Sequence, residues 1–184
     1  MSDNTLRIKD SRDQQPKMKP MKNIILIGMP GAGKSTLGVI LAKTLRMNFI
    51  DTDILIQERT GELLQDIIDN EGSTALLKIE EETILDLAAH HAVIATGGSA
   101  VFSEKAMKHM RSDGVVLYLD ISFEKMVQRL KNIKTRGIVL FEGSNLHDMY
   151  SERVPLYEKY ADITIGCSEG DFEDIVGKVI RELQ

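Results

Sequence analysis

The stretch that most restricts the fold of this chain is the octapeptide from Gly28 to Ser35, which has the spacing G-x-x-x-x-G-K-S. It follows a continuous apolar run, Ile24 to Ile27, that predicts a buried parallel strand, and it leads into a segment with helical periodicity. Glycines in such a loop let backbone N–H groups turn toward one anion, and the helix adds its positive end. The sequence therefore predicts a phosphate-binding loop, against the alternative of a glycine turn in an ordinary βα unit.

The side chains at the end of this loop indicate which phosphates it would bind. Lys34 is placed to reach the outer phosphates of a nucleoside triphosphate, and the Ser35 hydroxyl is placed to ligate Mg²⁺. We therefore expect nucleotide contacts along the loop and the helix start, at Gly31, Ala32, Gly33, Lys34, Ser35 and Thr36.

Two carboxylates follow the second predicted strand, Asn48 to Ile50, at Asp51 and Asp53. Carboxyl ends of strands face the ligand crevice in an open parallel sheet, and side chains two apart on an extended segment share a face. One carboxylate could then serve the water shell of the metal, and the other could serve an acceptor hydroxyl. The alternative is that Asp51 lies in a turn and Asp53 caps a helix from Ile54 to Thr60.

Two further loops carry candidate ligand contacts. The turn from Thr96 to Ser99 contains Gly97 and Gly98, and such a turn at a strand end indicates either backbone that approaches a ligand or a plain turn. The segment from Asn132 to Asn145 is basic and punctuated by glycines. A loop of this length in a compact domain is often a lid, so we expect it to close over phosphates, unless it is an unconstrained surface loop.

Five predicted strands alternate with helical segments, which predicts an α/β fold, a three-layer αβα sandwich with a central parallel sheet. The segment from His147 to Tyr160 has helical character but contains Pro155, so we expect a break or kink near Val154. We predict one domain over residues 23–184, preceded by a disordered polar tail over residues 1–22.

Composition narrows the class of protein further. The net charge of −5 argues against nucleic acid as a partner, and no apolar run approaches the roughly 20 residues that span a bilayer. A single cysteine, Cys167, excludes an internal disulfide and suits a reducing compartment. We expect a cytoplasmic monomer that acts on a small-molecule substrate and binds neither nucleic acid nor membrane.

Taken in order and spacing, these segments resemble the shikimate kinase family, within the nucleoside-monophosphate-kinase-like branch of phosphate-loop folds. The resemblance runs from about Lys22 to the C-terminus. Its main carriers are the following segments: Gly28 to Leu37, Ile50 to Asp53, Glu58 to Gly61, Ala95 to Gly98, Gly114 to Leu119 and Arg153 to Tyr157.

The resemblance implies sheet order 2-3-1-4-5, ATP with Mg²⁺, and phosphoryl transfer to shikimate. It also implies a role for each matching residue. Asp53 would hold and activate the acceptor hydroxyl, and Asp51 would act on Mg²⁺ through water. Arg136 would bring a positive charge from the lid to the transferring phosphate. The implied catalytic residues are therefore Lys34, Asp53 and Arg136. The resemblance further implies that Gly97 and Gly98 line the acceptor site. Arg129 would lie near the adenine, and Arg153 would bind the acceptor carboxylate.

Three positions depart from the family pattern. An ungapped comparison from Gly61 puts Leu77 where the family carries a second arginine for the acceptor carboxylate. Ser99 replaces the third glycine of a triplet, and Gly137 replaces a proline after the lid arginine, which would favour an open lid. The acceptor could therefore be another small hydroxy acid or a polyol such as gluconate, and a catalytically silent nucleotide-binding module is a further alternative.

Overall fold

Five parallel strands form one sheet in the computed structural model, which describes residues 22–130, 137–141, 143–167 and 172–183. The strands are β1 (Asn23–Gly28), β2 (Asn48–Asp51), β3 (Ala92–Ala95), β4 (Gly114–Asp120) and β5 (Ile163–Gly166). They pair in the order β2-β3-β1-β4-β5, and every pairing is parallel. The predicted α/β fold and the sheet order 2-3-1-4-5 are confirmed.

Helices separate consecutive strands, as a parallel sheet requires. Within the described residues they are α1 (Lys34–Leu45), α2 (Thr52–Thr60), α3 (Leu64–Glu71), α4 (Ser73–Leu85), α5 (Glu104–Ser112), α6 (Phe123–Leu130), α7 (Leu146–Tyr160) and α8 (Phe172–Glu182). A short 3₁₀ turn, Ala100–Phe102, follows β3. No described helix is both long and apolar enough to cross a membrane.

The central strand β1 explains why the apolar run before the phosphate loop is continuous. All six of its residues are buried, because β3 and β4 flank it and helices cover the sheet. Ile25 pairs with Ile94 on one side and with Val116 on the other. Each fully buried aliphatic side chain here contributes about 1.5–3 kcal/mol to folding. The phosphate loop therefore starts from a fully buried strand at the centre of the sheet.

A second, smaller apolar cluster lies apart from the sheet core. It joins α2, α3 and α4 to the segment 137–141, through Ile56, Leu64, Ile67, Leu76 and Val139. Ile56, Leu64 and Leu76 also line the pocket beside the phosphate loop. This cluster therefore builds the apolar wall of the candidate site.

Helix α7 runs without interruption through Pro155, so a break near Val154 is wrong, whereas the alternative expectation of a kink there stays a prediction. The buried residues of α7 are Met149, Arg153, Tyr157 and Tyr160, which form one stripe with helical spacing. Packing on both sides of Pro155 holds the helix together despite the N–H that proline lacks. The continuous helix carries Arg153 into the interior.

Candidate active site

The loop between β1 and α1 has the backbone of a phosphate cradle. Gly28 and Gly33 adopt φ values of 142° and 100°, which L side chains rarely adopt. A Cβ on Gly28 would also lie 2.6 Å from the carbonyl oxygen of Leu119. Gly33 is the N-cap of α1 and offers no side-chain cap, so the positive end of this helix points toward the loop. Both glycines are needed for this geometry.

Lys34 is buried at the base of the cradle, with 7% of its surface exposed. Its Nζ donates to the carbonyl oxygens of Gly28, at 2.7 Å, and Met29, at 3.0 Å. Its side chain lines a pocket together with Ser35 and Asp53. The lysine is thus held by loop carbonyls beside the space where a phosphate would bind.

Arg129 on α6 braces the same loop. Its Nη1 donates to the carbonyl oxygens of Gly31, at 3.1 Å, and Ala32, at 3.2 Å. The structure therefore places Arg129 beside the phosphate loop, and its contact with the adenine stays a prediction.

Asp51 and Asp53 differ from the expected arrangement on one extended segment. Asp51 is extended, but α2 begins at Thr52, and the Oδ1 of Asp51 accepts from the backbone N–H of Asp53 at 3.0 Å. The helix cap is Asp51 rather than Asp53, because α2 begins two residues earlier than the alternative prediction placed it. Asp53 lies in the first turn of α2 and still faces the pocket.

The second glycine turn allows several polar groups to approach each other closely. A Cβ on Gly97 would collide with Glu80 Oε1 and would lie 3.0 Å from Asp53 Oδ1. A Cβ on Gly98 would lie 2.9 Å from Pro30 Cδ and 3.3 Å from Arg153 Nη1. Close approach, and not only turn geometry, requires these glycines.

Hydrogen bonds hold this turn in place. The Gly97 N–H donates to Thr52 Oγ1 at 3.1 Å, and the Tyr157 hydroxyl donates to the Gly98 carbonyl at 2.6 Å. Both partners belong to helices that also carry site residues, α2 and α7. The turn is therefore a fixed wall of the pocket.

Arg153 lies behind this wall with 1% of its surface exposed. Its Nη2 donates to the Val139 carbonyl at 2.5 Å, and its guanidinium lies 5.2 Å from the centre of the Phe102 ring. Its Nε has no hydrogen-bond partner among the described residues. Burial raises the pKa of the neighbouring Tyr157, whereas the charge of Arg153 and its hydrogen bond oppose that rise. A buried guanidinium with an unused donor indicates an anion site.

Glu80 is a pocket residue that sequence reasoning missed. It lies on α4, has 3% of its surface exposed, and accepts from the Ser99 hydroxyl at 2.7 Å. Burial raises its pKa to about 7, although the bond from Ser99 opposes the rise. One signal could have identified it: Glu80 follows Leu76 by four residues, so it continues the buried stripe of α4.

Leu77 does not line the pocket that contains Asp53. Leu77 is half-buried and faces a neighbouring groove that Ser99 and Phe102 also line. Glu80 borders both this groove and the pocket of Asp53. One residue of helix rotates a side chain by about 100°, so Leu76 takes the pocket side of α4. Glu80 therefore lies between position 77 and the pocket of Asp53.

Gly137 has a packing role that the sequence did not indicate. A Cβ at this position would lie 2.6 Å from Leu64 Cβ and 3.0 Å from the Leu64 carbonyl oxygen. Any side chain would therefore force the segment 137–141 away from α3. Arg136, the expected lid arginine, lies outside the described residues.

Comparisons with known proteins agree with this arrangement. Residues 30–184 match the family model described as shikimate kinase. The chain is 39% identical to a shikimate kinase of Haemophilus influenzae over 168 residues, which are 89% of this chain and 93% of that protein. It is 35% identical to a shikimate kinase of Vibrio cholerae over 170 residues, 91% of this chain and 98% of that protein.

Solved structures give the same result. The structure of shikimate kinase from Acinetobacter baumannii in complex with shikimate has a TM-score of 0.82 and 31% identity, and covers 89% of this chain and 93% of its own. That of shikimate kinase from Aquifex aeolicus has a TM-score of 0.75 and 33% identity, over 88% and 95% of the two chains. The chain therefore belongs to the shikimate kinase family.

Proposed function

We propose that this protein transfers the γ-phosphate of ATP to a hydroxyl of shikimate, giving shikimate 3-phosphate and ADP. The observation that carries the proposal is that one pocket contains Lys34 and Ser35 of the phosphate loop together with Asp53. A site for the phosphate donor and a carboxylate that can receive a hydroxyl proton thus lie side by side, as direct phosphoryl transfer requires.

In this mechanism Asp53 orients the acceptor hydroxyl and takes its proton as the oxygen attacks the γ-phosphorus. A new O–P bond forms while the bond from the γ-phosphorus to the β–γ bridging oxygen breaks, and ADP leaves with that electron pair. Lys34 and the N–H groups of the loop offset the negative charge of the phosphates. We propose that Arg136 adds a second positive charge from the lid.

The donor side of the site is suited to ATP with Mg²⁺. No group of three or more His, Cys, Asp or Glu side chains forms a metal cluster in the described part of the chain. Mg²⁺ in kinases needs few protein ligands, because phosphates and water supply most of its oxygens. We propose Ser35 as a direct ligand and Asp51 as a ligand through water, since the helix cap uses only one carboxylate oxygen of Asp51. When bound, Mg²⁺ would neutralise charge on the outer phosphates, and Arg129 would lie near the adenine.

The acceptor side offers backbone at Gly97 and Gly98 and the guanidinium of Arg153. We propose that the acceptor carboxylate replaces the Val139 carbonyl as a partner of Arg153, because a carboxylate accepts a charged hydrogen bond more strongly than a neutral carbonyl does. Binding of the acid would then shift the segment 137–141.

We further propose that the protein acts in the cytoplasm as a monomer. The support is the buried thiol of Cys167, which suits a reducing compartment, and a pocket built from helices and loops of one chain. Light scattering after size-exclusion chromatography would measure the oligomeric state, and a dimer at working concentration would contradict this part of the proposal.

The test measures ADP release from ATP and Mg²⁺ with shikimate, with gluconate and with no acceptor. We expect release above background only with shikimate, and mass spectrometry should find one phosphate on the product. Lys34→Ala should lower the rate by a factor of about 100 or more, because it removes a charge aimed at the phosphates. Lys43→Ala, at an exposed position of the same helix, is the matched control and should keep full activity.

Two outcomes would contradict the assignment. Equal ADP release with and without shikimate would exclude this acceptor. An unchanged rate in Lys34→Ala, with circular dichroism that shows an intact fold, would exclude the proposed role of the phosphate loop.

A further inference from the structure

Glu80 occupies a place in the pocket where the departures from the family pattern meet. It borders the pocket of Asp53 on one side and the groove of Leu77 on the other. Its Oε2 accepts from the Ser99 hydroxyl, and its Oε1 lies over Gly97 on the side of Asp53. A hydroxyl at position 99 thus holds this carboxyl group, while position 77 supplies no cation.

The charged and titratable groups around Glu80 come from three other helices. Lys34 of α1 and Arg153 of α7 favour its ionised form, whereas Asp53 of α2 disfavours it. Tyr157 of α7 also interacts with Glu80. No salt bridge to Glu80 is present within the described residues, so burial dominates and keeps a large neutral fraction near neutral pH.

We propose that Glu80, held by Ser99, binds the acid acceptor as a neutral hydrogen-bond donor and thereby takes part in selecting it. This inference rests on the proposed function. The Ser99 bond occupies Oε2, which leaves Oε1 to carry the proton toward the pocket. An ionised Glu80 would instead place a second negative charge beside Asp53 and repel a carboxylated acceptor.

The arrangement makes acceptor binding depend on pH. The pKa of Glu80 is about 7, so part of the population is ionised at neutral pH and most is ionised above about pH 8. If the ionised form binds poorly, the protein must take up a proton when it binds shikimate at alkaline pH. The dissociation constant should then rise by up to about thirtyfold between about pH 6 and about pH 8.5.

Calorimetric titration of the full chain with shikimate tests this directly. Two buffers with different ionisation enthalpies give the number of protons taken up, and we expect this number to approach one at the alkaline end. Glu80→Gln keeps a neutral donor of the same shape. It should bind shikimate as wild type does at low pH, and it should lose both the proton uptake and most of the pH dependence.

A second variant separates this role from simple structural damage. The Ser99 hydroxyl favours the ionised form of Glu80, so Ser99→Ala should move the midpoint of the pH profile to higher pH. Glu81→Gln is the matched control, because Glu81 lies on the same helix and bonds instead to Ser103 and Lys105. It should leave the profile unchanged.

The results that would overturn the inference are specific. Shikimate binding without proton uptake in wild type would exclude a neutral Glu80 in the complex, and an unchanged profile in Glu80→Gln would assign the titration to another group. Absence of both shikimate binding and turnover at every pH would overturn the proposed function, and the inference with it.

Discussion

Ser99 and Leu77 are separated in sequence but border the same groove, with Glu80 between them. A buried carboxylate without a direct salt bridge is costly, and the Ser99 hydroxyl reduces that cost for Glu80 with a hydrogen bond of 2.7 Å. A hydrogen bond to a charged group contributes about 1.5–3 kcal/mol, so this bond matters most when Glu80 is ionised. At the scale of single residues, the two departures therefore form one electrostatic unit.

Leu77→Arg tests this coupling. A guanidinium in the groove beside Glu80 should favour the ionised carboxylate and lower its pKa, because an opposite charge within reach stabilises the charged form. We expect the pH dependence of shikimate binding to move to lower pH. The added positive charge should raise kcat/KM for shikimate at about pH 8 by about tenfold.

The control for this variant is Lys78→Arg, at the neighbouring exposed position, where the side chain pairs with Glu82. It should change neither the rate nor the pH profile. If Leu77→Arg behaves like this control, the side chain at position 77 does not reach the proposed acceptor site, and the coupling to Glu80 is wrong.

At the scale of elements, the segment 137–141 links the apolar cluster of α2, α3 and α4 to Arg153 of α7. Val139 is buried with Ile56, Leu64 and Leu76, and its carbonyl accepts from Arg153. Ser73 at the start of α4 donates from its hydroxyl to the Leu140 carbonyl at 3.0 Å. Packing of this segment is therefore coupled to the position of the arginine that we propose binds the acid.

Gly137→Ala should loosen this segment. The new methyl group would lie 2.6 Å from Leu64 Cβ, and such overpacking costs about 1–3 kcal/mol. We expect faster hydrogen exchange in the segment 137–141 and in α3, together with a higher KM for shikimate. Exchange measured by mass spectrometry gives both regions in one experiment.

The control is Gly166→Ala in β5, where nothing lies within 4 Å of the added Cβ. Its exchange and kinetics should match wild type. If Gly137→Ala also matches wild type, then α3 yields to the methyl group, and close approach is not the reason for glycine at this position.

At the scale of the whole molecule, sequence reasoning succeeded where a local pattern has one structural meaning. The apolar run before Gly28 predicted the central strand. A continuous run of apolar residues directly before a phosphate loop is typical of a parallel strand that is buried on both faces. Glu80 gives a weaker signal, because its spacing from Leu76 does not by itself separate it from the neighbouring acids. It lies between Lys78 and two further acids, and only the packing of α4 against the glycine turn buries this acid rather than its neighbours. The continuity of α7 through Pro155 and the tight fit of Gly137 are likewise properties of tertiary contacts.

Ligand binding should stabilise the whole domain, because the pocket joins the phosphate loop, α2, α4 and the segment 137–141. A ligand at a hundred times its dissociation constant stabilises the native state by about 2.7 kcal/mol. For a chain of this size we therefore expect a rise in Tm of about 5–11 °C with saturating shikimate and MgADP.

Thermal unfolding followed by the fluorescence of an added dye measures this rise in Tm. The control is the same experiment with gluconate in place of shikimate. The proposed sites for the nucleotide and the acid lie side by side, so the two ligands together should raise Tm by more than either alone. An equal rise with gluconate, or a rise with MgADP that shikimate does not increase, would show that the pocket beside Asp53 does not select this acid.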